Sequence, residues 1–488
     1  MKRAGVLAVS TSMGKIGLDV FGPMTGRAKA TTALPTSGAL PPGTPICVVI
    51  DLQGGNDWLN TLVPVNSPWY YDQTYGHGSY LSIAPNKALL LPGTPYGVHY
   101  AMPWIANRWS SKGDVAFVEG VGENVAHEFS HFEAMIYRNT ADFGGYNPYG
   151  WLGRYNDVVA TNSPLAGVAT HSLHPMLQSS TAPVLMVQDC SSMALDSDWR
   201  WRTGFQTAVQ AMGATNTSPG MIGRSALNNR STFAAMGRVT QAYKSNYARG
   251  GTDIDHQLAQ VAMLIAADLP SQTYVCDFSG FDTHSGQSWT HWDLWQRLDS
   301  ALNFFFSIVD GLSRANDVFV VISSEFGRQV TTNASGGLDH GQGSGIIVIG
   351  GGVKGGLYGQ PSDLNPGGPT RPNRLNDALI PTTDFRAVYA TVLNRLGGDA
   401  NLTQQVLLGS FPDLGFFGPS VPGGGGGGVP PASSTTTAPT TTTSTTTTAP
   451  RPPTTTKPPG AGNNDPTPTT MMPTTTTMPA PMMAPMQP

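Results

Sequence analysis

Four short segments carry the residue types from which a metal-dependent hydrolytic centre is built. They are Gly54-Gly55-Asn56-Asp57, Gly280-Phe281-Asp282-Thr283-His284, Ser323-Ser324-Glu325-Phe326-Gly327-Arg328 and Leu338-Asp339-His340-Gly341. Carboxylates and imidazoles brought together hold hard to borderline divalent ions. Three of the segments directly follow a run that reads as a buried strand, and ligands of α/β proteins gather at the carboxyl ends of such strands. Asp282 and His284 stand at i and i+2 of an extended segment, so their side chains point the same way. The expected metal ligands are therefore Asp57, Asp282, His284, Glu325, Asp339 and His340, with Asp339 either a ligand or the orienting partner of His340. Arg328 is placed to clamp an oxyanion. Plain alternatives stand beside these roles. Aspartates are common in turns, and Glu325 with Arg328 can form a surface ion pair worth little.

Ser130-His131-Phe132-Glu133 matches a capping box, S-x-x-E, after the apolar run Val115 to Val121. As a cap, Ser130 and Glu133 satisfy the first turn of a helix. As chemistry, a hydroxyl at a helix N-terminus sits in positive potential, which suits an attacking alkoxide. His131 adds a ligand or base, and His127 is near it in sequence.

These residues need a sheet to bring them together. Candidate strands are Ile46 to Leu52, Val115 to Val121, Pro183 to Val187, Thr273 to Phe278, Val318 to Ser323 and Gly345 to Ile349. Several are apolar on both faces, as in a covered parallel sheet. Helical periodicity runs over Ile254 to Leu269, Trp292 to Leu312 and from Thr383 to Leu396. Strand and helix alternate, which predicts an α/β fold with a mainly parallel central sheet and helices on both faces. Residues 190–250 read as a helical insertion without identifiable chemistry. Gly350 to Asn376 reads as a long surface loop beside the site.

Composition divides the chain into three: residues 1–44 as an export-signal remnant and linker, 45–419 as the α/β domain, and 420–488 as a disordered Thr/Pro-rich tail. Charged residues are 12% of the 488-residue chain, about half the usual 25%. The formal net charge is −4 and no basic stripe occurs, which argues against nucleic acid. No apolar run is long enough for a transmembrane helix. Cys47, Cys190 and Cys276 form no CxxC motif, so a zinc-thiolate site is not expected. Ala28-Lys29-Ala30 fits a small-x-small cleavage site after a weakly apolar run, Ala4 to Val9. No twin arginine is present, yet the segment resembles the portion of a twin-arginine signal beyond the arginines, so the expected start lies upstream of Met1. The tail has the composition of O-glycosylated stalks. Export to the periplasm, cell surface or medium is expected, with cell-wall association through the tail.

The ordered motifs resemble a bacterial family known as domain of unknown function 1501. They are Gly54-Gly55-Asn56-Asp57 with Leu59 to Pro64, Ser130 to Glu133, Gly150-Trp151-Leu152-Gly153-Arg154, Gly280 to His284, Ser324 to Arg328, Asp339-His340-Gly341 and Thr383-Asp384-Phe385-Arg386. The resemblance covers about Pro45 to Phe417. It implies an alkaline phosphatase-like fold, in which an Asp after the first strand, a nucleophile at a helix start and later Asp and His residues hold two metals. Asp57, Ser130, Asp282, His284, Glu325 and His340 occupy those places in order, and Asp51 ranks below Asp57. Glu325-Phe326 stands where related phosphatases carry Asp-His, and the sulfatase C/S-x-P-x-R motif is absent. The implied activity is hydrolysis of a phosphate or sulfate ester, small or carried on a glycan, with two divalent ions (Zn, Mg, Mn or Ca). Ser130 attacks, and Arg328 or Arg154 binds the non-bridging oxygens. The alternative is a non-catalytic surface protein that binds metal or glycan on the same fold.

Overall fold

Ile46 to Ile50 and Val318 to Ile322 have no polar face, and both become strands covered on their two sides. The computed structural model describes residues 8–10, 40–123, 129–144, 147–160, 165–187, 254–368 and 377–418. These lie in one compact unit, Met1–Pro431. The second unit, Ala432–Pro488, falls outside the described residues, as do His127, Cys190, the expected insertion and the expected tail.

The strands are β1 (Ala8–Ser10), β2 (Ile46–Gln53), β3 (Leu62–Val63), β4 (Leu89–Leu90), β5 (Gly97–Val98), β6 (Val115–Gly122) and β7 (Gly167–Ala169). They continue with β8 (Val184–Met186), β9 (Thr273–Ser279), β10 (Val318–Ser324), β11 (Ser344–Gly350), β12 (Gly356–Gly359) and β13 (Thr383–Asp384). One sheet runs in the order β1-β8-β7-β9-β2-β10-β11-β6-β12, with β13 on β6, and β3-β5-β4 form a small second sheet. β7, β8, β9, β2 and β10 run parallel to their neighbours in this set. β11 is antiparallel on both sides. The reason is local: residues 325–343, between β10 and β11, contain no helix, and a parallel return needs a crossover.

Every expected strand is present. The sheet also gains β7 and the edge strand β12, which lies inside the expected surface loop. β1, from the expected signal stretch, pairs with β8. The helix expected to begin at Thr383 spans Phe385–Arg395. Its cap is Asp384, whose side chain accepts from the Arg386 amide. Helices Ile254–Ala266 and Gln287–Val309 pack on each other, and the former lies on β9. Cys47 and Cys276 are free and buried. Among the described residues, no helix is long and apolar enough to cross a membrane.

Candidate metal centre

In-register parallel pairing of β9, β2 and β10 aligns Asp277, Asp51 and Ser323 across the sheet. The chain beyond those ends carries the expected ligands. Gly54 turns it at φ +119°, and a Cβ there would lie 2.2 Å from the Asp282 amide nitrogen. Glycine is thus required for the β2 turn to pass beneath the Asp282 loop. In that position Gly54 N–H donates to Glu325 Oε1 at 2.8 Å.

Three imidazoles surround Asp282 Oδ1. His284 Nε2 lies at 3.1 Å, His340 Nε2 at 3.2 Å and His131 Nε2 at 3.6 Å. Donor atoms of His131, Asp282 and His340 all fall within 4.8 Å of one another. The other nitrogen of each ring faces an acceptor: His131 Nδ1 meets Glu325 Oε1 at 2.9 Å, His284 Nδ1 meets Asp339 Oδ1 at 2.8 Å, and His340 Nδ1 meets the Phe129 carbonyl at 2.7 Å. An acceptor at Nδ1 places the ring hydrogen there and leaves the Nε2 lone pair turned inward. Asn333 donates to Asp339 Oδ1 and to the His284 carbonyl, both at 3.0 Å. Phe129 adopts a left-handed conformation, φ +54°, to present its carbonyl. Phe326 packs beside both His131 and His340, at 4.9 and 4.8 Å between ring centroids.

The charges suit a cation. Burial alone would raise the Asp282 carboxyl, but Arg328, His284 and His131 bring it below the ordinary range. The hydrogen bond from His284 does the same for Asp339. Burial, with Arg328, His131 and His284 nearby, lowers His340, which favours the neutral ring a metal needs. His131 is raised by its bond to Glu325. Around a tetrahedral ion with bonds of about 2.0–2.1 Å, neighbouring donor atoms sit about 3.3 Å apart. The three distances to Asp282 Oδ1 bracket that value. Glu325 Oε2 is buried without a hydrogen-bond partner, a further oxygen of the right type beside the cluster. The donor set fits a divalent ion.

The expected ligands divide into three groups. Asp282, His284 and His340 converge, joined by His131. Glu325 and Asp339 stand behind the imidazoles as orienting partners. Asp57 sits apart from the cluster. It caps the short helix Trp58–Thr61 and is enclosed by His77 Nε2 at 3.0 Å and Gln287 Nε2 at 2.6 Å. No motif flags His77, whose Nδ1 meets the Val330 carbonyl at 2.7 Å. Asp51 faces His174 Nε2 at 3.1 Å, with Asp277 at 3.3 Å, in a second buried group that the sequence reading missed.

Arg328 departs from the expected clamp. Its guanidinium is enclosed and donates to the carbonyls of Gly54, Gly55, Phe281 and Leu338 and to Asp282 Oδ1. Arg154 likewise donates to the carbonyls of Tyr149, Thr140 and Val406. Ser130 occupies the N-cap of the helix His131–Thr140 but makes no side-chain cap bond, so the capping box does not form. Its two chain neighbours, Phe129 and His131, both touch the cluster.

A family model described as protein of unknown function (DUF1501) matches residues 150–407. The chain belongs to this family. No curated protein matches it. Solved structures similar to this DUF1501 protein include the C-terminal periplasmic domain of EcEptC from Escherichia coli in complex with Zn. That match has 8% identity and a TM-score of 0.35, covering 74% of this chain and 84% of that one. The lipoteichoic acid synthase LtaP from Listeria monocytogenes matches at 8% identity and a TM-score of 0.31, with coverage of 75% and 76%. A protein in the Alkaline Phosphatase Superfamily from Vibrio parahaemolyticus matches at 9% identity and 0.34, covering 80% and 76%. Likenesses at this level say nothing of substrate.

Proposed function

We propose that this DUF1501 protein is a metal-dependent hydrolase of phosphate or sulfate esters, acting after export. The observation that carries the reading is the set of three imidazoles tied back through Nδ1, with Nε2 turned toward Asp282. Asp282, His131, His284 and His340 would hold a divalent ion, which would polarise the ester and favour the developing negative charge. Glu325 and Asp339 fix the ring orientations, and Arg328 holds Asp282 against the Gly54 turn. Ser130, uncapped at a helix N-terminus, is the proposed nucleophile. Its oxygen bonds to phosphorus or sulfur as its proton passes to solvent and the alcohol leaves. Water then cleaves the seryl ester and restores Ser130. The test is turnover of p-nitrophenyl phosphate, bis(p-nitrophenyl) phosphate and p-nitrophenyl sulfate by protein loaded with Zn, Mn, Mg or Ca. Turnover that vanishes on chelation and returns with metal supports the reading. None with any ester and any ion sinks it.

One observation favours a second reading, a non-catalytic metal-binding protein. Arg328 and Arg154 are spent on carbonyls, so neither is available to take a substrate's oxygens. Tight metal binding without turnover is the result that reading expects.

A further inference from the structure

A groove of about 690 Å³ runs between the helix Pro103–Ser111 and the helix Gln287–Val309. On the second helix Trp292, Gln296, Ser300 and Asn303 are spaced by four, four and three residues, and so share one face. Across the groove, Tyr100, Trp104 and Asn107 are spaced by four and three. One wall thus presents Tyr100 and Trp104 followed by the Asn107 amide, and the other presents Trp292 followed by the amides of Gln296 and Asn303. The lining has no Lys or Arg, and its one acid is already used: Asp299 accepts from the Trp104 and Ile105 amides at 2.9 and 3.0 Å.

Trp289 lengthens the aromatic surface. It is 69% exposed, and its ring lies 4.7 Å from that of Trp292. An isolated exposed apolar residue needs no explanation, but two adjoining tryptophans opening into an amide-lined groove do. Neutral amides answer hydroxyls, and flat rings answer the apolar faces of pyranose sugars. An anion would call for positive charge that the lining lacks.

We infer that this groove binds a neutral stretch of an oligosaccharide chain. The placement ties it to the metal centre. His284 lies three residues before Gln287, the first residue of the helix that lines the groove. Trp292 is five residues further on, about 7.5 Å of helix rise. A sugar chain in the groove would lie along the helix that begins three residues after His284. The ester would then be borne on a glycan, a step that rests on the hydrolase reading. The groove's binding does not.

The experiment is titration of the metal-stripped full chain with chitohexaose, cellohexaose and maltohexaose, followed by tryptophan fluorescence and calorimetry. Binding of at least one hexaose is expected, weakened about tenfold or more in Trp292→Ala. Gln296→Ala, on an exposed side chain, is the check should Trp292→Ala fold poorly, and is also expected to weaken binding. Saturation by none of the three overturns the proposal. So does a concentration-dependent dimer that quenches the same tryptophans, which would assign this face to a second copy. Because binding is read without turnover, its failure leaves the hydrolase reading standing, and a failed hydrolysis assay leaves the groove standing.

Discussion

The Nε2 atoms of His284 and His340 face each other at 2.9 Å. Asp339 and the Phe129 carbonyl take the hydrogens on the opposite nitrogens, so two lone pairs point at one another beside a carboxylate. Such an arrangement is relieved by a proton or a cation shared between them.

Metal content is the first consequence of that contact. Among the described residues, the group whose donor atoms converge is the one around Asp282, so one tightly held divalent ion per chain is expected where the resemblance implied two. Elemental analysis of dialysed protein measures it. His340→Ala and His284→Ala should each lose the ion while the fold, followed by circular dichroism, persists.

Orientation is testable apart from ligation. Glu325→Gln and Asp339→Asn keep the shape and remove the charge behind an imidazole. Metal affinity should fall about 10- to 100-fold in such variants. The effect should be larger for Glu325, which is buried, than for the half-exposed Asp339, whose place water can take. Competition with a chromophoric chelator reads both.

Ser130 separates position from chemistry. Because it makes no cap bond, Ser130→Ala should cost less than the usual ~1 kcal/mol of a lost cap. Turnover should fall by several orders of magnitude if its oxygen attacks. A thermal melt and an ester assay on one sample suffice. Undiminished turnover in the variant removes Ser130 from the mechanism.

Asp57 and His77 form a buried pair away from the cluster, so their loss should reach stability before metal binding. Asp57→Ala should destabilise by about 3–5 kcal/mol, as expected when one partner of such a pair is removed. Burial opposes the Asp57 charge, but His77 outweighs it and brings the carboxyl below its ordinary 3.8. Its stabilisation is therefore full above that pH and is lost as pH falls through the folded value. Urea midpoints measured across that acid range should fall with pH in wild type and change less in Asp57→Asn.

The long strands were legible because an unbroken apolar run has few other places to go. β7 and β12 were not, since three or four glycine-containing residues carry no period. The antiparallel β11 was legible in principle from the missing crossover helix. In the site, Asp282 and His284 were readable from their i, i+2 spacing. The pairing of Asp57 with His77 was not readable, because His77 lies in a segment without any motif. Glu325 showed as a strand-end carboxylate, but its bond to His131 crosses 194 residues and exists only in the folded chain.

The bond from Gly54 to Glu325 spans 271 residues. No local stretch of the unfolded chain holds the complete ligand set, unlike a zinc finger whose ligands are close neighbours. An ion can find its full cage only after β9, β2 and β10 have paired, and pairing at such separation is slow. Metal loading would then come late, as a finishing event on a preformed pocket rather than the nucleus of folding.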